Sequence, residues 1–161
     1  MLDRINPHRL GPRLSEETTM TQDTKARRDA LASFLGVSPV EVRTSKTEGS
    51  KRFLFDQSTW LVLTDGEADT LAREAILRDV WTFSRSFLRV HISSVFLPTL
   101  EAFEPLRERA CERANPVLLT MLRDLDAFVA DAIRDDGRGR FLAAQDRAEC
   151  SAQGFYLYLQ G

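Results

Sequence analysis

The chain has 161 residues, 43% of them apolar and 29% charged, which fits one soluble domain with a real core. Its 22 basic and 24 acidic residues leave a net charge of −2, so the total offers no reason for a nucleic-acid or membrane partner. Cys111 and Cys150 form no CxxC pair, and no apolar run approaches the length of a spanning helix or a leader; reduced thiols and a cytoplasmic location are the expectation.

Residues 1–22 mix Pro, Gly and charge without an apolar period and predict a disordered arm, leaving 23–161 as the single folded domain. From Thr24 to Leu35 the pattern turns helical. Ala26, Ala30, Leu31, Phe34 and Leu35 make the apolar stripe, with Arg27, Arg28 and Asp29 off it. Gly36 stops that helix, Ser38-Pro39-Val40-Glu41 predicts a capped short turn, and residues 43–50 read as a polar loop.

Two strands follow, around Phe53–Phe55 and Trp60–Leu63. No Asn-Gly or Asp-Gly joins them, so the hairpin rests on β-propensity alone. Thr64-Asp65-Gly66-Glu67 has the Thr-x-x-Glu form of a capping box, with Asp65 adding negative charge at the positive helix end. Ala68, Leu71, Ala72, Ala75, Ile76 and Val80 recur behind it at helical spacing.

Ser84 predicts the cap of a helix running through Val95, with Pro98 at or beyond its end, and a further helix spans Thr99 to Ala114. Asn115-Pro116 restarts a helix as cap and first residue. Leu118, Leu122, Leu125, Val129 and Ala132 continue it to a stop at Gly137. Residues 140–143 read as a short strand, and Phe155–Leu159 as a second one with Phe155, Leu157 and Leu159 on one side and Tyr156 and Tyr158 on the other. The sum is an α+β domain: a small, mostly antiparallel sheet of two hairpins and three or four strands, with helices packed on one face.

Trp60-Leu61-Val62-Leu63-Thr64-Asp65 followed by Glu67-Ala68-Asp69 resembles a motif of small proteins from phages, plasmids and related bacterial loci. Trp81-Thr82-Phe83, Ala110-Cys111-Glu112-Arg113-Ala114-Asn115 and Asp136-Gly137-Arg138-Gly139-Arg140-Phe141-Leu142 match in the same order, over about residues 25–160. The chain departs from that pattern at Gly66, where an acid is expected, and at Arg140, where a histidine is expected. The resemblance implies a mobile-element setting and a role against or alongside host machinery; it implies no reaction.

Among candidate sites, the turn Asp136-Gly137-Arg138-Gly139-Arg140 stands first. Its glycines permit positive φ and close backbone approach, and Arg138 and Arg140 are suited to gripping a phosphate or carboxylate, although the Lys and Ser/Thr of a phosphate loop are missing. The plainer reading is a helix end whose arginines complement the helix dipole. Tyr156 and Tyr158, with Trp60 or Leu61 and Leu63 across the sheet, form either an exposed aromatic surface for a partner or a face covered by the first helix. His91 shares an apolar helical face and reads as a core histidine, and Asp124, Asp131 and Asp135 read as a solvated helix face rather than a metal site.

No catalytic residue, metal ligand or cofactor is assigned. The favoured function is a small phage or plasmid accessory protein that binds a host or phage protein. One rival is a nucleic-acid-associated protein using Arg138 and Arg140, and another is an enzyme with an acidic site near the helix ending at Asp135.

Overall fold

The computed structural model describes residues 21–45, 51–144 and 146–161. Most of the predicted arm, residues 1–20, and most of the predicted polar loop, residues 46–50, lie outside the described residues. The first helix, α1, covers Gln22–Leu35 and begins earlier than Thr24, because Thr21 accepts the Thr24 amide at 3.2 Å and so caps it. Gly36 ends it in the left-handed conformation at φ 70. A short turn over Pro39–Glu41 follows, with Glu41 accepting the Ser38 amide at 3.0 Å.

The strands are β1 (Arg43–Thr44), β2 (Arg52–Phe55), β3 (Ser58–Leu63), β4 (Cys150–Ala152) and β5 (Phe155–Leu159). They form one antiparallel sheet in the order β1-β2-β3-β5-β4. The α+β class holds, with five strands instead of three or four: Arg43 and Thr44 leave the polar loop to pair with Leu54 and Phe53. Asp56 and Gln57 make a two-residue turn between β2 and β3, and Asp56 takes φ 54, a conformation that Asp tolerates better than most residues. The other hairpin turns at Gln153-Gly154, both at positive φ (50 and 82), as a tight hairpin between right-twisted strands requires.

The strand predicted at 140–143 is a single helical turn, α7 (Gly139–Leu142). Gly139 explains why the chain bends there. A Cβ at this position would lie 2.2 Å from the Arg147 carbonyl oxygen, so the returning chain crosses directly against the glycine.

Between β3 and β5 lie α2 (Asp65–Arg78), α3 (Arg85–His91), α4 (Leu97–Ala110), α5 (Asn115–Met121) and α6 (Leu125–Asp136). The helix predicted from Ser84 through Val95 stops at His91, and Pro98 belongs to the first turn of α4 instead of ending its predecessor. Residues 91–93 leave the helix to pair with the α5–α6 connection. Ile92 bridges Leu122, the Ser93 amide donates to Met121 O at 3.0 Å, and the Arg123 amide donates to His91 O at 2.9 Å. That small ladder also splits the single long helix predicted after Asn115 into α5 and α6.

Helices lie on both sheet faces, because both faces are apolar. Leu31 and Ala32 of α1 pack on Phe53, Val62 and Leu157. On the other face, Ala68 and Leu71 of α2, with Leu142, pack on Leu61, Leu63 and Tyr158. A third core joins the remaining helices: Ile76, Val80, Leu88, Leu100, Leu118 and Phe128 are all fully buried. The helix α2 touches both the second and the third, through Ala68 at one end and Ile76 at the other.

Candidate functional site

Gly137 takes φ 75 and turns the chain out of α6, which aims Arg138 back at the start of α2 and at β5. Its guanidinium binds Glu149 with two nitrogens, at 2.8 and 3.1 Å, and reaches Asp65 and Asp69 at 2.8 Å each. It also lies 4.3 Å from the centre of the Tyr156 ring. Tyr158 donates its hydroxyl to Glu149 at 2.6 Å. The Arg138 side chain is 10% exposed, and its pKa is raised, first by hydrogen bonding to Glu149, against the opposing effect of burial. Burial, then the same glutamate, raises the Tyr158 hydroxyl.

This geometry brings together three of the residues singled out in the sequence: Arg138, Tyr156 and Tyr158. Arg138 faces three carboxylates, so it serves to fasten the 136–140 turn onto α2 and β5. Asp136 and Arg140 pair with one another at 3.2 Å, on the partly exposed side of the turn. Trp60 lies on the opposite sheet face from the two tyrosines, because it pairs with Leu159 while Leu61 pairs with Tyr158. It meets Phe34 edge-on, with ring centres 5.8 Å apart. Tyr158 is fully buried, so the tyrosine face is covered, and α2 covers it where the first helix was the expected lid.

The carboxylates of α6 are distributed among separate partners. Asp124 caps the helix by accepting the amides of Asp126 and Ala127 at 2.9 and 3.0 Å; the Ala127 bond is the main cause of its lowered pKa. Asp126 meets Arg73 at 2.6 Å, and Asp131 and Asp135 both meet Arg134. Among the described residues no group of three His, Cys, Asp or Glu side chains is placed to hold a metal ion. His91 is buried between Phe87 and Phe128, at ring-centre distances of 4.8 and 5.2 Å, and its Nε2 lies 3.5 Å from Asp131. Cys111 is exposed, and its thiol donates to Glu108 O in its own turn.

A second arginine was missed in the sequence. Arg27, placed off the apolar stripe by its charge, is 3% exposed. It donates to Val62 O at 2.8 Å and to both oxygens of Glu67 at 2.7 and 3.1 Å, and its Nε reaches Asp23 at 2.8 Å. The buried face of α1 runs through Thr24, Arg27 and Leu31, with Ala26 exposed and Phe34 turned toward solvent. The readable signal was positional: Arg27 falls one turn from both Thr24 and Leu31.

Exposed apolar side chains recur over a short stretch of chain, at Val90 in α3 and at Val95 and Phe96 in the turn that follows it. Val90 is 65% exposed, Val95 73% and Phe96 39%. Arg85 and Arg89 of α3 share Glu101 of α4 at 3.4 and 2.9 Å, and Arg123 donates to the Val90 carbonyl at 3.4 Å. These three side chains flank the ladder of residues 91–93 and leave apolar surface in water.

The fold and these surfaces define a small α+β protein whose charged clusters are mostly internal fastenings. Comparison of the chain with protein-family models, with curated proteins and with solved structures found no match.

Proposed function

We propose that this chain is a small accessory protein of a phage or plasmid that acts in the cytoplasm by binding a host or phage protein. The observation that carries this reading is the exposure of Val90, Val95 and Phe96, three large apolar side chains within seven residues of chain. The mobile-element setting comes from the resemblance of the Trp60–Asp69 and Asp136–Leu142 stretches, and two free thiols suit a reducing compartment. For an anion-gripping role, Arg138 would have to leave three carboxylates, which favours protein binding over nucleic-acid binding through that turn. Affinity purification of the tagged chain from lysate of its bacterial host tests the reading. A stoichiometric protein retained with and without nuclease treatment is expected; no retained protein, or one lost with nuclease, overturns it.

A further inference from the structure

We propose that residues 94–114, centred on α4, form a lid that opens as one unit from the helical core while the rest of the fold stays in place. The inference goes beyond the protein-binding reading and is independent of it, because it concerns a motion of the chain itself.

The segment has fixed ends. The Ser93 amide donates to Met121 O at 3.0 Å, and the Asn115 side chain bonds Leu77 O and the Trp81 amide at 2.6 and 3.0 Å. Between those anchors the chain enters and leaves α4 through single turns, Ser94–Phe96 and Cys111–Ala114. The helix itself is lightly docked. Leu100 is its one buried apolar side chain, with Leu97, Phe103 and Ala110 packed on the core at partial exposure. The elements its backbone approaches most extensively are the two turns at its own ends, whereas α2, of the same length, lies against α6, α7, β3 and β5. Lifting α4 therefore breaks few contacts outside the segment.

What closes the lid is a polar latch. Arg107 is buried and donates to Trp81 O at 2.8 Å and Phe83 O at 2.7 Å, on the stretch that follows α2, and Glu104 of its own helix holds the guanidinium. Water replaces each of these bonds on opening. Arg107 Nε and Glu104 Oε2 are buried without hydrogen-bond partners among the described residues, and opening hydrates both. The exposed pairs of Glu101 with Arg85 and Arg89 add little hold.

The backbone favours the same motion. Pro105 lies inside the helix and cannot donate to the Glu101 carbonyl. Cys111 ends the helix at φ 52, a conformation that side chains other than glycine seldom adopt. A helix of 14 residues away from its core is marginal in water even without a proline. Lifting and unwinding therefore go together, and opening exposes the α4 amides to solvent.

Hydrogen exchange on the intact chain tests the proposal, with each rate corrected for the intrinsic rate of that amide. The amides of residues 101–110 should be at least about tenfold less protected than those of residues 69–78 in α2. Urea added below the unfolding transition should speed exchange steeply at 69–78 and only slightly at 101–110, because the lid uncovers little surface when it opens. Arg107→Met should raise exchange at 101–110 about tenfold or more. Equal protection of the two helices, equal urea dependence, or no rise at 101–110 in the folded Arg107→Met protein would each overturn the proposal. The two wild-type comparisons decide it if that variant does not fold.

Discussion

Glu67 is where a local helix signal and a long-range ion pair meet in one side chain. It accepts the Thr64 amide at 2.8 Å as the third residue of α2, and it also binds Arg27 and lies 3.0 Å from Lys51. Burial alone would raise its carboxyl, but the bonds from Arg27, Thr64 and Lys51 outweigh burial and hold it at about 2, below the ordinary 4.5. A carboxyl whose pKa is depressed by folding adds stability above its unfolded value and loses it as pH falls through its folded value. Urea unfolding should therefore show wild type above Glu67→Gln by on the order of 2–3 kcal/mol near neutrality. That gap should close between about pH 4.5 and about pH 2. A gap that persists at the acid end would mean that the carboxylate charge is not what Arg27 needs. The glycines make a second residue-scale contrast. Gly66 sits exposed in the first turn of α2 with open space around its missing Cβ, whereas Gly139 has the Arg147 carbonyl at 2.2 Å from that point. Gly66→Ala should stabilise by about 0.5–1 kcal/mol. Gly139→Ala should destabilise by more than about 2 kcal/mol, because a backbone oxygen must move. Opposite shifts in urea midpoint check both at once.

At the scale of elements, Asn115 shows how a correct local signal can serve a distant end. Asn before Pro reads as the cap of its own helix, yet Ala114 precedes α5 in that role and Asn115 is its first residue. Its side chain instead donates to Leu77 O at 2.6 Å and accepts the Trp81 amide at 3.0 Å, closing the C-terminal end of α2. Asn115→Ala should cost about 1–2 kcal/mol, since two part-buried backbone groups lose partners, and Asn115→Asp should not rescue it because Leu77 O needs a donor. Thermal melts of the two variants would show whether the loss follows the donor. The same element-level logic separates what could be read in the sequence from what could not. The start of α2 was legible because Thr64, Asp65 and Glu67 state it within four residues, and the alternation of Phe155 to Leu159 stated β5. The end of α3 was not, because residues 91–93 leave the helix for a ladder with residues 121–123, a pairing with no local mark. β4 was misplaced because Gly139 was read by its neighbours Phe141 and Leu142, when the chain crossing it at Arg147 decides the conformation. In the candidate site, the positive φ at Gly137 was legible. The saturation of Arg138 was not, since Asp65, Asp69 and Glu149 come from far along the chain.

The whole molecule is held by a sheet whose central pair joins chain segments from opposite ends of the described fold. Trp60 pairs with Leu159 and Leu63 with Tyr156, and the helices from α2 to α7 fill the chain between them. Those helices have a core of their own around Leu100, Leu118 and Phe128, which raises the question of whether sheet and helices unfold separately. α2 argues that they do not. Ala68 lies in the sheet core and Ile76 in the helical core, so melting either removes packing from one rigid helix. Arg27 and Arg138 reinforce that union, fastening the start of α2 to α1 through Glu67 and to β5 through Glu149 and the ring of Tyr156. The two tryptophans report on the two parts independently: Trp60 lies in β3 under α1, and Trp81 packs against the helical core. Single-tryptophan variants Trp60→Phe and Trp81→Phe should each give one fluorescence transition in urea, coincident with the loss of helical circular dichroism in the same variant. Leu157→Ala, which empties a fully buried site between Leu31, Phe53 and Val62, should cost about 2–5 kcal/mol and move both reporters by the same amount. A Trp81 transition that stays in place while the Trp60 transition moves would show the helices to be a separate cooperative unit, with α2 able to fray from the sheet and keep its helical partners.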